Sequence, residues 1–424
     1  MQKIVRNNFK SLNGQIAVPA DKSVSHRAMI FAALANGKSV IKNFSDGQDP
    51  HSTVEVCGKL GAEIIQNGSE ITVVSDGKLR SYADNIYCGN SGTTMRLMTG
   101  VLAGQNFDSV LTGDESLSKR PMKRIIEPLT MMGAKIQSDD NRAPIRISGQ
   151  ELVGIDYVSK LASAQVKSCI LLAGLFANGV TKYTEPHLSR NHTEIMLKAM
   201  GADIVVEDLT TSIKKSKLYP IMIEVPGDIS SAAFFIVSAL IVPDSKILIK
   251  NVGLNPTRTG IIDVVEKMGA QIRIVNKKEV CGEVIGDIEV EYSELKGCEI
   301  SGDIIPRLID EIPVIAVLAT QADGQTVIKD AQDLRNKESD RISAVVAELR
   351  KLGADIEETS DGMIINGKTE LSGGVEVDTY NDHRLAMSLY VAGLICKKEI
   401  LINDFEWVNI SFPTFENLME KIKR

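Results

Sequence analysis

The chain has 424 residues, 43% apolar and 24% charged, with a formal net charge of −7. That length suits about two or three domains with a core of ordinary size. The negative balance argues against a general nucleic-acid binder while allowing a local positive cleft.

Met1-Gln2-Lys3-Ile4-Val5-Arg6 lacks the apolar stretch of a signal peptide, and no run of about eighteen uncharged apolar residues follows. A cytoplasmic protein that does not cross a membrane is expected. The six cysteines (57, 88, 169, 281, 298 and 396) are irregularly spaced and form no C-x-x-C pair. They read as small buried residues in a reducing compartment. The five histidines show no H-E-x-x-H spacing, so no metal site is predicted.

In chain order, long apolar helices are predicted over 21–35, 90–103, 163–177, 228–240, 303–320 and 382–396. A β-rich stretch follows each, such as Ser39-Val40-Ile41 or Lys246-Ile247-Leu248-Ile249. Next comes an amphipathic helix ending in a recurrent phrase: Leu60-Gly61-Ala62, Met132-Gly133-Ala134, Met200-Gly201-Ala202, Met268-Gly269-Ala270 and Leu352-Gly353-Ala354. Glycine there suits the left-handed residue that closes a helix. A strand or hairpin, such as Glu70-Ile71-Thr72-Val73-Val74, completes the unit.

The glycines fall 72, 68, 68 and 84 residues apart. That period is too long for a solenoid and suits a repeated unit of two helices and several strands. There are six first helices and five marks. The sixth unit stops inside its second helix, at 415–422, and its missing strands are expected from residues 3–18. Two lobes of three units each follow: 1–20 with 227–424, and 21–226. The chain should cross near Pro19–Asp21 and Val225–Asp228. Ordinary doubly wound domains fit less well, because no nucleotide fingerprint follows an early strand.

The openings of these helices carry the charged and polar signals. Helix N-termini offer free N–H groups and partial positive charge. Asp21-Lys22-Ser23-Val24-Ser25-His26-Arg27 adds cations and a hydroxyl, and reads equally as an anion site and as a capped helix with surface charges. Gly89-Asn90-Ser91-Gly92-Thr93-Thr94-Met95-Arg96 lets backbone amides approach a ligand, with a simple capped turn as the alternative, and it is not a P-loop. Ser163-Ala164-Gln165-Val166-Lys167 offers neutral hydrogen bonds, with Lys167 read equally as a solvated helix residue.

The second helices open on Arg120, Arg190, Arg258 and Arg341, against the helix dipole. Bound anions are one reason for such residues and ion-paired structure is another; Arg258 is read as structural. Asp310-Glu311 places two carboxylates inside an apolar run, where an acid needs a partner or a purpose. Glu338, flanked by Lys337 and Arg341, suits a proton acceptor. Asn381-Asp382-His383-Arg384 opens the sixth long helix with one more anion contact, and His383 reads equally as a packed or capping residue.

Together these strings resemble the enolpyruvyl transferases, and within them the branch whose acceptor is shikimate 3-phosphate. The resemblance covers essentially the whole chain. It is carried most strongly by Gly89–Leu97 and by Arg335-Asn336-Lys337-Glu338-Ser339-Asp340-Arg341. Ser163–Lys167, Arg190-Asn191-His192-Thr193-Glu194 and Asn255-Pro256-Thr257-Arg258 look like the class II subgroup, which includes glyphosate-tolerant members.

The resemblance implies a two-lobed, inside-out α/β barrel, each lobe three βαβαββ units, with the active site in the cleft between. The implied reaction joins the 5-hydroxyl of shikimate 3-phosphate to C2 of phosphoenolpyruvate, then loses phosphate, with no metal or organic cofactor. Lys22, Ser23, Arg27, Ser163, Ala164, Gln165, Arg190, Asp310 and Lys337 would hold shikimate 3-phosphate. Lys22, Asn90, Gly92, Thr93, Arg120, Gln165, Glu338, Arg341, His383 and Arg384 would hold phosphoenolpyruvate. Asp310, Glu338 and Lys22 would move protons. The two small molecules are the only partners expected, and the protein is expected to be a monomer.

Three positions bear on details. Many members place a Lys before the final Ser/Thr-Phe-Pro, whereas this chain has Ile410-Ser411-Phe412-Pro413. Ala20 stands where class II members usually have Gly. Gly92 is retained where an Ala would crowd glyphosate. The nearest rival is the sister transferase acting on UDP-N-acetylglucosamine. It usually carries a reactive Cys in the loop matching Gly113–Pro121, which has none here. A non-catalytic anion-binding protein of the same fold is the other alternative, and Asp310, Glu338 and His383 argue against it.

Overall fold

The structure is a computed structural model that describes residues 1–424. Two compact units emerge. The amino-terminal unit is Ala20–Val225 with the short segment Glu279–Glu283, and the carboxy-terminal unit is Met1–Pro19, Pro226–Lys278 and Val284–Arg424. No helix is long and apolar enough to cross a membrane.

One unit of the repeat is complete in chain order: strand Asp156–Val158, helix Ala164–Gly174, strand Val180–Thr184, helix His192–Ala199, strands Ile204–Glu207 and Thr210–Lys214. Its first two strands are parallel, as a helical crossover requires, and the last two close antiparallel. The spatial order is first, second, fourth, third. Four other sheets repeat that order, and the sixth has three strands.

Two of the six units take their first strand from elsewhere in the chain. Met222–Glu224 pairs parallel with Asn36–Lys42 and so completes the first sheet of the amino-terminal unit. Asn13–Ala17 pairs parallel with Lys246–Gly253 in the carboxy-terminal unit. Each strand is thus separated from the long helix that follows it in the chain. The amino-terminal residues were expected to supply the strands missing from the sixth unit. Only Lys3–Val5 does so, antiparallel to Ile400–Asn403. Asn13–Ala17 serves the fourth unit instead, because Met222–Glu224, the strand that precedes that unit in the chain, is already used in the first sheet.

The long helices are buried nearly all round. Every residue of Ile229–Ile241 is buried, and in Gly92–Ala103 only Thr93 is not. A helix apolar on all faces belongs in an interior. Gly92–Ala103 packs on Ala164–Gly174, and Ile312–Thr320 packs on both Ile229–Ile241 and His383–Gly393. Helices inside and sheets outside make each unit an inside-out α/β barrel, with its own apolar core. The crossing of Gly92–Ala103 over Ala164–Gly174 is close: a Cβ added at Gly100 would lie 2.2 Å from the Cys169 carbonyl oxygen.

The five glycine marks end helices as expected, with φ of +103°, +95°, +87°, +90° and +98° at Gly61, Gly133, Gly201, Gly269 and Gly353. In each, the following Ala N–H reaches back to a carbonyl of the last turn, for example Ala134 to Leu129 at 2.9 Å. This is the Schellman closure. The predicted helix over 303–320 is broken into a 3-10 turn Gly302–Ile304, a helical turn Ile305–Leu308 and the helix Ile312–Thr320. Pro313 sits in the first turn of the last piece, where its missing N–H costs nothing. The break puts Asp310 and Glu311 at a helix opening rather than inside one. The helices predicted over 163–177 and 382–396 stop earlier, at Gly174 and Gly393.

Candidate active site

In the amino-terminal unit the helix openings gather most of the predicted residues. Asp21 caps Lys22–Leu34 by accepting from Val24 N at 2.9 Å. Lys22, next in the chain, holds its Nζ 3.2 Å from Asp49 Oδ2. Ser91 caps Gly92–Ala103 through Thr94 N at 3.1 Å. Ser163 occupies the same position before Ala164–Gly174 but makes no capping bond, so its hydroxyl is not committed to the helix.

Two guanidinium groups meet at Gly92. A Cβ built there would sit 3.0 Å from Arg96 Nη1 and 3.4 Å from Arg120 Nη1. Arg96 Nη1 donates to Gln165 Oε1 at 2.6 Å, and Gln165 Nε2 donates to Thr93 Oγ1 at 3.0 Å. Arg120 Nη2 donates to Asn90 Oδ1 at 2.6 Å, and Asn90 Nδ2 donates to Asp114 Oδ2 at 2.7 Å. The predicted residues Thr93 and Gln165 with Arg96, and Asn90 with Arg120, thus form two hydrogen-bonded chains whose guanidinium groups approach each other at Gly92. Two cations and a helix N-terminus are the ingredients from which anion sites are built.

Arg27 is buried and serves three elements. Its Nε donates to Thr193 Oγ1 at 2.7 Å, Nη1 to Ser23 O at 3.0 Å and Nη2 to Ser168 Oγ at 2.8 Å. Arg190 Nη1 donates to Ser23 Oγ at 3.2 Å. Ser23, Arg27 and Arg190 thus converge.

Beneath the first two openings runs a buried polar chain. His26 Nδ1 meets Thr53 Oγ1 at 2.6 Å, Thr53 Oγ1 meets Thr94 Oγ1 at 2.7 Å, and Thr94 Oγ1 donates to Ser91 Oγ at 2.7 Å. Burial pushes the His26 imidazole down to about 3, so the ring is neutral. Lys167 is not a solvated residue. It is fully buried against Glu185 and Glu194, each 2.7 Å from its Nζ.

The carboxy-terminal unit holds the other predicted residues around Asp310. Arg341 Nη1 lies 3.4 Å and Lys337 Nζ 3.8 Å from Asp310 Oδ1. Arg384 Nη2 lies 3.9 Å from Oδ2, and Arg384 Nη1 donates to the Asp310 carbonyl at 3.1 Å. Lys337 also reaches Asp333 at 3.3 Å. Arg341 Nη2 donates to Glu338 Oε2 at 2.6 Å and its Nε to Asp382 Oδ2 at 2.7 Å.

Burial opposes the charge on Arg341, yet Asp382, Glu338 and Asp310 outweigh it and hold its pKa above the ordinary value. Burial likewise opposes ionisation of Asp382, and Arg341 overcomes it, so the Asp382 pKa lies below the usual carboxylate range. Asp382 also caps His383–Gly393 through Arg384 N at 2.8 Å. His383, the first residue of that helix, is buried. Arg258 is an internal ion-pair residue, 3.1 Å from Asp228. Where a Lys would precede Ser-Phe-Pro, Ile410 ends a 3-10 turn, Phe405–Ile410, without a side-chain donor.

Sequence reasoning missed Asp49, Asp114 and Asp382 as partners of Lys22, Asn90 and Arg341. Only Asp382 carried a signal, standing at the helix opening in Asn-Asp-His-Arg. A cavity of about 420 Å³ in the carboxy-terminal unit contains none of the predicted residues. It is lined by Leu240–Val242, Gln321 and Leu394–Ile395, beyond the far ends of the core helices.

These two constellations sit in a chain whose residues 7–419 match the family model "EPSP synthase (3-phosphoshikimate 1-carboxyvinyltransferase)". The chain belongs to the EPSP synthase family. It is 51% identical over 424 residues to the 3-phosphoshikimate 1-carboxyvinyltransferase of Bacillus velezensis, covering 99% of each chain. The solved EPSP synthase of Acinetobacter baumannii is 44% identical, with a TM-score of 0.90, covering 100% of this chain and 98% of that one. The enolpyruvyl transferase NikO of Streptomyces tendae, 17% identical at a TM-score of 0.82 over 99% of this chain and 97% of that one, shares the fold.

Proposed function

We propose that the protein transfers the enolpyruvyl group of phosphoenolpyruvate to the 5-hydroxyl of shikimate 3-phosphate, releasing phosphate. The observation that carries this reading is the cradle around Asp310. Lys337, Arg341 and Arg384 surround one carboxylate, and Glu338 shares the Arg341 guanidinium. Cations there neutralise anionic substrates, and two acids stand ready to move protons.

Shikimate 3-phosphate is assigned to Lys22, Ser23, Arg27, Ser163, Ala164, Gln165, Arg190, Asp310 and Lys337. Phosphoenolpyruvate is assigned to Lys22, Asn90, Gly92, Thr93, Arg120, Gln165, Glu338, Arg341, His383 and Arg384. The acceptor oxygen adds to C2 of phosphoenolpyruvate as its proton leaves and C3 gains one. The tetrahedral adduct then loses phosphate while C3 gives a proton back. Glu338, Asp310 and Lys22 handle these protons, each positioned group supplying roughly 10²–10⁴-fold. Fixed cations around the developing charge add electrostatic stabilisation. The protein works as a cytoplasmic monomer without a metal or organic cofactor.

Phosphate release tests this directly. Release is expected with phosphoenolpyruvate and shikimate 3-phosphate together, and not when UDP-N-acetylglucosamine replaces the latter. No release with both substrates bound would overturn the reading.

A further inference from the structure

Arg190 lies in the segment between strand Val180–Thr184 and helix His192–Ala199. A buried charged cluster pins the residue just before it. Lys167 on helix Ala164–Gly174 is 1% exposed and pairs with Glu185 Oε1 and Glu194 Oε1, both at 2.7 Å. Its Nζ also donates to the Ser189 carbonyl at 3.3 Å, and Ser189 Oγ donates to Glu185 Oε2 at 2.5 Å.

One ammonium and two carboxylates taken out of water are costly, and apolar residues of similar volume would stabilise a plain core at least as well. What the cluster adds is a fixed geometry. Lys167 stands two residues after Gln165 on the helix opened by Ser163, and its Nζ holds the main chain next to Arg190. A single side chain therefore ties Ser163-Ala164-Gln165 to Arg190.

We propose that Lys167, acting with Glu185 and Ser189, is a positioning residue for the phosphate group of the acceptor. It sets the spacing between the Ser163–Gln165 opening and the Arg190 guanidinium without touching substrate. This rests on the assignment of Arg190 to shikimate 3-phosphate made above. Removing the tie lets Arg190 wander, which weakens recognition of the phosphate while sparing the ring.

The test measures dissociation constants for shikimate 3-phosphate and for unphosphorylated shikimate in Lys167→Met, Ser189→Ala and Arg190→Ala, with kcat and the KM for phosphoenolpyruvate alongside. Ser189→Ala leaves the ion cluster in place and keeps the test open if Lys167→Met does not fold. Lys167→Met and Arg190→Ala are expected to weaken shikimate 3-phosphate about tenfold or more, and Ser189→Ala, which loses the hydroxyl link to Glu185 but keeps the Lys167 bond to the carbonyl, about threefold or more. In Lys167→Met and Ser189→Ala, shikimate should stay within twofold, and kcat at saturation and the phosphoenolpyruvate KM should be nearly unchanged. If Arg190→Ala weakens shikimate 3-phosphate but the other two do not, or weaken both ligands equally, the positioning role is overturned. If Arg190→Ala itself leaves shikimate 3-phosphate unaffected, the assignment of Arg190 fails, and the positioning role with it.

Discussion

Arg341 and Asp382 form a fully buried ion pair, Nε to Oδ2 at 2.7 Å, with exposures of 1% and 0%. The same aspartate caps the helix that presents His383 and Arg384, so one carboxylate orients two cations. Asp382→Asn should therefore cost about 3–5 kcal/mol, because it leaves a buried guanidinium undercompensated. Urea unfolding measures this; a loss below about 1 kcal/mol would show that the pair is replaceable. Because its folded pKa is depressed, the stability contributed by Asp382 is present above the ordinary carboxylate range. It is lost as pH falls below that range through the folded value.

His26 supplies a second pH dependence. Its pKa falls from 6.5 to about 3 on burial, so the unfolded chain takes up a proton that the folded chain refuses. Its contribution is complete above about pH 6.5 and declines as pH drops toward 3. His26→Gln should flatten the stability profile across that window. An unchanged slope would place the proton uptake on other groups.

Gly100→Ala tests the helix crossing. With the new methyl 2.2 Å from the Cys169 carbonyl oxygen, backbone must move, and overpacking of this kind costs about 1–3 kcal/mol or more. Gly58→Ala, whose nearest neighbour is Ile64 Cδ1 at 3.5 Å, should be neutral or stabilising by up to about 1 kcal/mol. Equal melting temperatures for the two variants would contradict the packing argument.

Glu338→Gln keeps shape and hydrogen-bonding capacity but removes the carboxylate proposed as proton acceptor. We expect kcat to fall roughly 10²–10⁴-fold while both substrates still bind within a few fold. Single-turnover kinetics with calorimetry separates the two effects. Near-normal turnover would remove Glu338 from proton transfer.

Arg120→Ala deletes one of the two guanidinium groups at Gly92. A hydrogen bond to a charged group contributes about 1.5–3 kcal/mol, so the phosphoenolpyruvate KM should rise roughly 10- to 150-fold. The shikimate 3-phosphate KM should change far less. Equal losses for both substrates would point to a disordered loop rather than a lost contact.

Much of the fold was legible because it depends on local chemistry. Gly-Ala helix ends, apolar runs of helical length and polar helix openings each follow from backbone geometry near one residue. The break before Ile312 was less legible, since Pro313 is compatible with a helix start and an apolar run alike. The fate of Asn13–Ala17 was not legible at all. Its partner strand begins over two hundred residues away, and short strands of this kind specify a face more readily than a partner. Lys167 illustrates the same limit for charge: beside Ser-Ala-Gln-Val it reads equally as a ligand contact and a solvated residue, and only its neighbours Glu185 and Glu194 make it a buried tie.

By itself, then, the sequence determined a tandem α/β repeat, which residues open its helices and, through their joint resemblance, the family chemistry. Capping, periodicity and helix-end charge act within a turn or two of chain, so they survive reading one residue at a time. Tertiary structure alone decided which carboxylate meets which cation: Asp49 with Lys22, Asp382 with Arg341, Glu185 and Glu194 with Lys167. Burial and Coulomb attraction depend on distance through space, and folding sets that distance between residues far apart in the chain.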